Sequence, residues 1–191
     1  RPPGPGPTRS WHTSPAHPAD RPALAALFTV CSPETVRLRF FGQLREWPRE
    51  YLDGALAAPP EAHDAVVAYG TSRANLVGLA SLAAPSPAGP GIGELGVLVA
   101  DAWQRQGVAI AMLDLLFARA RTRGVDRVAA TVLPGRCELL AALARHMEPD
   151  GSRRSREGLT GIYRLTPRVR SADTDIQADT EWDPRREAPR T

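Results

Sequence analysis

The chain contains no lysine: all 24 basic residues among its 191 positions are arginines. GC-rich coding accounts for that bias, which leaves the chain no lysine side chain of its own open to modification. Cysteine is nearly absent too. Cys31 and Cys137 stand far apart, with no other cysteine or histidine beside either at ligand spacing, so neither a disulfide framework nor a zinc site is readable. No metal and a reducing, cytoplasmic setting are the expectation. No apolar run approaches the roughly 20 residues that span a bilayer, and the Pro-rich start lacks the apolar stretch of a signal peptide. A soluble chain without a membrane partner is expected. Concentrated charge is missing as well: the net charge is +3, with arginines interspersed among acids rather than gathered into the basic stripe of a nucleic-acid binder. No nucleic-acid partner is expected.

What is present divides into three parts. Residues 1–19 are dense in Pro and Gly without apolar periodicity, which predicts a disordered arm, although Ser10-Trp11-His12-Thr13 allows a short first strand. Residues 20–166 carry the periodic patterns of one domain, and 167–191 form a mixed-charge tail without an apolar face, again expected to be disordered. Within the domain, Asp20 is placed to cap a helix through Ala23, Leu24 and Leu27. Ser32-Pro33-Glu34 opens a second helix with a cap, an N1 proline and a first-turn acid. On that helix Val36 and Phe40 share a face, extended to Leu44, whereas Arg37, Arg39 and Arg45 are expected to reach outward. A helical turn over 49–56 precedes the break at Ala57-Ala58-Pro59-Pro60. Apolar runs at 65–69 and 76–84 around a turn predict a β-hairpin, and the Pro/Gly-rich stretch 85–93 an exposed loop.

From Glu94 the text becomes more informative. Residues 94–100 read as a buried strand, and from Gly107 the apolar residues Ile110, Leu113, Leu116 and Phe117 recur at helical spacing to about Arg123. Gly124 can stop that helix, a buried strand follows at 125–133, a helix at 138–147 and a last strand at 159–165. Such alternation implies α/β packing. The opening of a helix exposes unpaired N–H groups and the positive end of its dipole, so a glycine-bearing loop entering a helix can hold a phosphate. Gln104-Arg105-Gln106-Gly107-Val108-Ala109 has that form, with Gly107 and small Ala109 permitting close approach; a glycine serving only the turn is the alternative.

Gln104-x-x-Gly107-x-Ala109 resembles the (R/Q)-x-x-G-x-(G/A) motif of the GCN5-related N-acetyltransferase (GNAT) superfamily, and Val97-Leu98-Val99, the lead-in from Asp101 to Gln104 and Leu113-x-x-Leu116 resemble its flanking strand, loop and helix. Leu27-Phe28 and Ser32 to Phe41 are similar to the helix before the hairpin in bacterial Pat-type protein lysine acetyltransferases. The resemblance implies a mixed, mostly antiparallel sheet flanked by helices, with a splayed strand pair binding acetyl-CoA. Val97, Leu98 and Val99 would face the pantetheine arm, and Gln104, Arg105, Gln106, Gly107, Val108 and Ala109 the pyrophosphate. It implies transfer of acetyl to a primary amine, with a protein lysine, for instance on an acyl-CoA synthetase, favoured over a small amine. A non-catalytic acyl-CoA-binding module is the reading from another class.

Transfer to an amine calls for a base, because a lysine of pKa about 10.4 is almost wholly protonated at neutral pH. Glu94 stands where the Pat-like pattern places its acid, and burial would suit it to the task. The tyrosine that many family members use as proton donor has no counterpart in 141–147. Tyr163 reads as packing, Phe40-Phe41 as core, and Cys137 as a small buried thiol. Arg136 replaces the family's frequent asparagine and is left between a CoA phosphate contact and plain exposure. His146-Met147-Glu148 replaces the usual glycine-aromatic ending.

Overall fold

The computed structural model describes residues 10–165. Part of the expected arm, 1–9, and the expected tail, 167–191, lie outside the described residues. Seven strands form one sheet: β1 (His12–Pro15), β2 (His63–Tyr69), β3 (Leu76–Ala83), β4 (Ile92–Val99), β5 (Arg127–Val132), β6 (Glu148–Arg154) and β7 (Leu159–Arg164). Their order is β1-β2-β3-β4-β5-β7-β6. Every neighbouring pair is antiparallel except β4 and β5. This is the mixed, mostly antiparallel sheet expected. Helices α1 (Arg21–Val30), α2 (Pro33–Phe40) and α3 (Arg49–Ala57) cover one face, and α4 (Val108–Thr122) and α5 (Glu138–Ala144) the other.

Alternation along the central strands builds a core on each face. Val66, Val77, Leu95 and Val128 meet Met112, Leu116 and Phe117 of α4. On the opposite face Val67, Leu79 and Leu98 meet Leu24, Leu27 and Phe28 of α1. Phe28, Phe40, Trp47 and Tyr51 stack in an aromatic cluster, with the Trp47 and Tyr51 rings 5.9 Å apart. Trp47 Nε1 donates to Leu24 O at 2.7 Å, so this buried indole leaves no unpaired donor. Under α4, buried Asp64 takes Arg119 at 2.9 Å and Arg123 at 2.8 Å. Two guanidinium partners are what allow a carboxylate there.

Several expectations are corrected. The side chain of Asp20 does not cap α1; buried, it accepts His17 N at 2.7 Å and pairs with Arg73 at 2.7 Å, fixing the chain before the helix. Ser32 does cap α2, accepting Thr35 N at 3.2 Å. The stretch 85–93 is not simply an exposed loop. Ser86 and Ile92 are buried, and Ser86 N donates to Ile92 O at 2.8 Å, so the stretch folds back on the start of β4. Leu44 lies beyond α2 and is exposed, and so is Phe41, which ends α2 in a left-handed conformation at φ 59°. Strand β6 went unforeseen. All seven of its residues are exposed, and main-chain pairing together with the Arg164–Asp150 ion pair at 2.8 Å holds it to β7.

Candidate active site

The two edges of β4 differ. Along β3 it is paired from Glu94↔Ala83 to Val99↔Gly78. Along β5 the pairing covers only Ile92, Gly93 and Glu94, whose last partner is Ala129. Beyond that point the two parallel strands part, and a wedge opens between them. Ala100 N donates to Val77 O at 2.9 Å, which sets the alternation. Even-numbered residues turn their peptide groups to β3, so the odd-numbered Val97 and Val99 turn theirs into the wedge. An extended amide chain entering it would find main-chain partners there, as at a sheet edge.

A cavity of about 500 Å³ adjoins this wedge, its lining including Arg39, Tyr51, Glu94, Leu98, Gln104 and Leu139. Glu94 occupies the last paired position before the strands part. Its carboxylate accepts Ser86 Oγ at 2.5 Å and Thr131 Oγ1 at 3.3 Å, and Thr131 shares a 2.8 Å hydrogen bond with Thr160. Three segments therefore orient one half-buried carboxylate. Tyr51 shares a 2.8 Å hydrogen bond with buried Ser81 at the next strand. Arg39, expected to face solvent, instead folds inward. Its guanidinium lies over Gly96, where any Cβ would overlap it, and stacks over the Phe40 and Tyr51 rings at 4.7 and 4.8 Å. The missing side chain at Gly96 is what leaves the guanidinium its space.

The junction between β4 and α4 is built as a loop that presents main chain. Arg105 and Gly107 have positive φ, 57° and 86°, and Gly107 immediately precedes α4. The first N–H groups of a 15-residue helix thus open beside it, at Val108 and Ala109. Among the side chains, Gln104 is turned inward: its Nε2 donates to Val99 O and to Thr35 Oγ1, each at 3.0 Å. Gln106 Nε2 donates to Ala102 O at 2.8 Å. Both glutamines shape the loop and leave its backbone to meet a ligand. Asp101 ties the loop to α2 by accepting Ser32 N (2.8 Å), Ser32 Oγ (2.6 Å) and Thr35 Oγ1 (2.9 Å). Burial works against this carboxylate, but the hydrogen bonds from Ser32 and Thr35 hold it below its usual range.

Arg136 also lines the cavity, exposed and 3.1 Å from Glu34 of α2. Tyr163 is buried and donates to Leu140 O at 3.1 Å; burial, with Cys137 adding to it, pushes its phenol up to about 12. It packs rather than reacts. Cys137 is exposed, not buried, because it lies in the turn before α5 where the chain has left the sheet. The structure gathers Ser86, Thr131, Arg39 and Tyr51, none of which sequence reasoning singled out as site residues, around the cavity that Glu94 lines. Among the described residues, no group of three or more Cys, His, Asp or Glu is placed to hold a metal ion. No helix among them is long and apolar enough to cross a membrane.

Residues 22–147 match the sequence profile of the Acetyltransferase (GNAT) family. Among curated proteins none matches the chain. Solved structures of similar fold include the GNAT domain of S. lividans PAT, at 21% identity and a TM-score of 0.69 over 80% of this chain and 89% of that one. A phosphinothricin acetyltransferase from Sinorhizobium meliloti in complex with AcCoA aligns at 17% identity and a TM-score of 0.60, over 81% of this chain and 86% of that one. The ribosomal-protein-S18-alanine N-acetyltransferase from Escherichia coli aligns at 15% identity and a TM-score of 0.57, over 86% and 100%. At these identities the likeness is one of fold.

Proposed function

Since this chain belongs to the acetyltransferase (GNAT) family, we propose that it transfers acetyl from acetyl-CoA directly to a primary amine, with Glu94 as general base and a protein lysine as the favoured acceptor. The observation that carries this reading is the place of Glu94: at the point where β4 and β5 part, its carboxylate in the cavity and oriented by Ser86 and Thr131. When bound, acetyl-CoA supplies a thioester activated toward amines. Val97 and Val99 hold its amide-bearing arm in the wedge, and the main chain from Gly107 to Ala109 holds the pyrophosphate at the positive end of α4. Arg136 is free to exchange its exposed partner Glu34 for a phosphate. Glu94 takes the proton from the acceptor nitrogen, directly or through a water. No tyrosine stands on α5, so the proton that neutralises the departing thiolate comes from water.

The test is incubation with acetyl-CoA and a panel of acyl-CoA synthetases, other proteins and small amines, following CoA release and acetyl-lysine. Acceptor-dependent release is the expected result. A folded chain that binds acetyl-CoA tightly yet releases no CoA with any acceptor would instead be a binding module.

A further inference from the structure

Arg39 lines the cavity, and the transfer chemistry above does not use it. Among the described residues its guanidinium makes no hydrogen bond or ion pair, and its Nε is buried without a partner. What holds it is packing: the Phe40 and Tyr51 rings against its face and the bare backbone of Gly96 beneath. Stacking of this kind fixes the plane of a guanidinium while leaving its donors unspent. Leaving such a cation unpaired is costly, and a carboxylate delivered by a ligand would repay that cost through charge-assisted bonds. Gly96 lies two residues from Glu94 on the same face of β4, which puts base and guanidinium roughly 7 Å apart along the strand. An acceptor offering an amine to Glu94 and an anion to Arg39 would match both charges at once.

We propose that Arg39 receives a carboxylate of the acceptor, so that the substrates of this cavity are amines carrying a carboxylate close by. This rests on the acetyl-transfer reading for its context. The same chemistry is offered by a free amino acid and by a lysine with an acidic neighbour in a peptide. Two matched pairs separate these sources: glutamate against its diamide, and a short peptide with lysine followed by glutamate against the same peptide with glutamine. The wild-type chain is expected to favour the carboxylate member of one pair by about tenfold or more in kcat/KM, and the pair that shows it identifies the source. Arg39→Gln is expected to abolish the preference mainly through KM, with Arg39→Lys retaining part of it, while acetyl-CoA binding measured by calorimetry stays unchanged. Absence of preference in both pairs, or an equal loss for both members in Arg39→Gln, overturns the proposal. If the wild type transfers acetyl to no acceptor, the transfer reading fails on its own. The side-chain ¹⁵N–H resonances of Arg39 then decide the inference: a shift with glutamate or the acidic peptide but not with its uncharged match upholds it, and no shift with either overturns it.

Discussion

Two neighbouring regions of the candidate site are made from different material. The region proposed for the cofactor is main chain: the peptide groups of Val97 and Val99 and the amides that open α4, brought together by one continuous stretch of sequence. The region proposed for the acceptor is side chain: Arg39, Tyr51, Ser86, Glu94 and Thr131 come from five separate segments and meet only in the folded chain. Main-chain recognition tolerates side-chain change as long as the backbone keeps its path, whereas a side-chain site changes its ligand with a single substitution. One cofactor paired with many acceptors is what that division permits.

The difference can be tested by variants that strike one region and spare the other. The largest effect is expected for Glu94→Gln: transfer falls by about a hundredfold or more while calorimetric acetyl-CoA affinity stays as it was. A proportionate loss of affinity would mean that the two regions are not separable. Next comes Gly107→Ala. A Cβ there meets nothing closer than Trp11 Cζ2 at 3.6 Å, so the cost is conformational. At φ 86° a non-glycine residue costs about 1–2 kcal/mol, and acetyl-CoA should bind about tenfold more weakly with little change in acceptor KM. Thr131→Val keeps the shape but removes a hydroxyl from Glu94. A rate reduced about fivefold, for a bond worth about 1 kcal/mol, should appear in kcat with no change in cofactor affinity.

The smallest effect is on titration. Burial first, and the Arg39 charge second, hold His63 below its ordinary range, with Asp64 opposing. Because the folded value is depressed, the contribution of neutral His63 to stability is full above about pH 6.5 and is lost as pH falls through the lowered value. Thermal unfolding should therefore shift down on acidification below neutrality. In Arg39→Gln the His63 ring protons, followed by NMR, should titrate at higher pH than in the parent. An unmoved titration would place the Arg39 charge elsewhere than over β4.

Local text was enough for the region proposed for the cofactor. A strand, a glycine and a helix in succession specify where amides will point, and Gln104 to Ala109 lie within one turn of each other in sequence. Even there the roles shifted, since Gln104 and Gln106 spend their side chains on shaping the loop. Of the side chains gathered in the region proposed for the acceptor, the sequence singles out only Glu94. That Ser86 would fold back from a Pro/Gly-rich stretch, or that Thr131 would reach across from β5, depends on contacts between residues 8 and 37 positions apart, which periodicity does not encode. Arg39 was assigned to solvent because a charged residue at the flank of a helix stripe usually faces it. The vacancy that draws it inward, at Gly96, is on β4, far from α2 in sequence.

Strand β6 escaped notice for a different reason: Glu148 to Arg154 has charges, a proline and a glycine, and no alternation to read. It rests on β7 through main-chain bonds and one ion pair, Asp150 to Arg164 at 2.8 Å, and adds no apolar side chain to the core. A sheet's outermost strand is the one place where stability and solubility come apart. Replacing Arg153 and Arg154 by threonine would leave the core and its melting temperature nearly as they are. The same change would give neighbouring molecules an uncharged ribbon to extend. What guards this fold against its own copies is thus a segment that the fold hardly needs in order to stand.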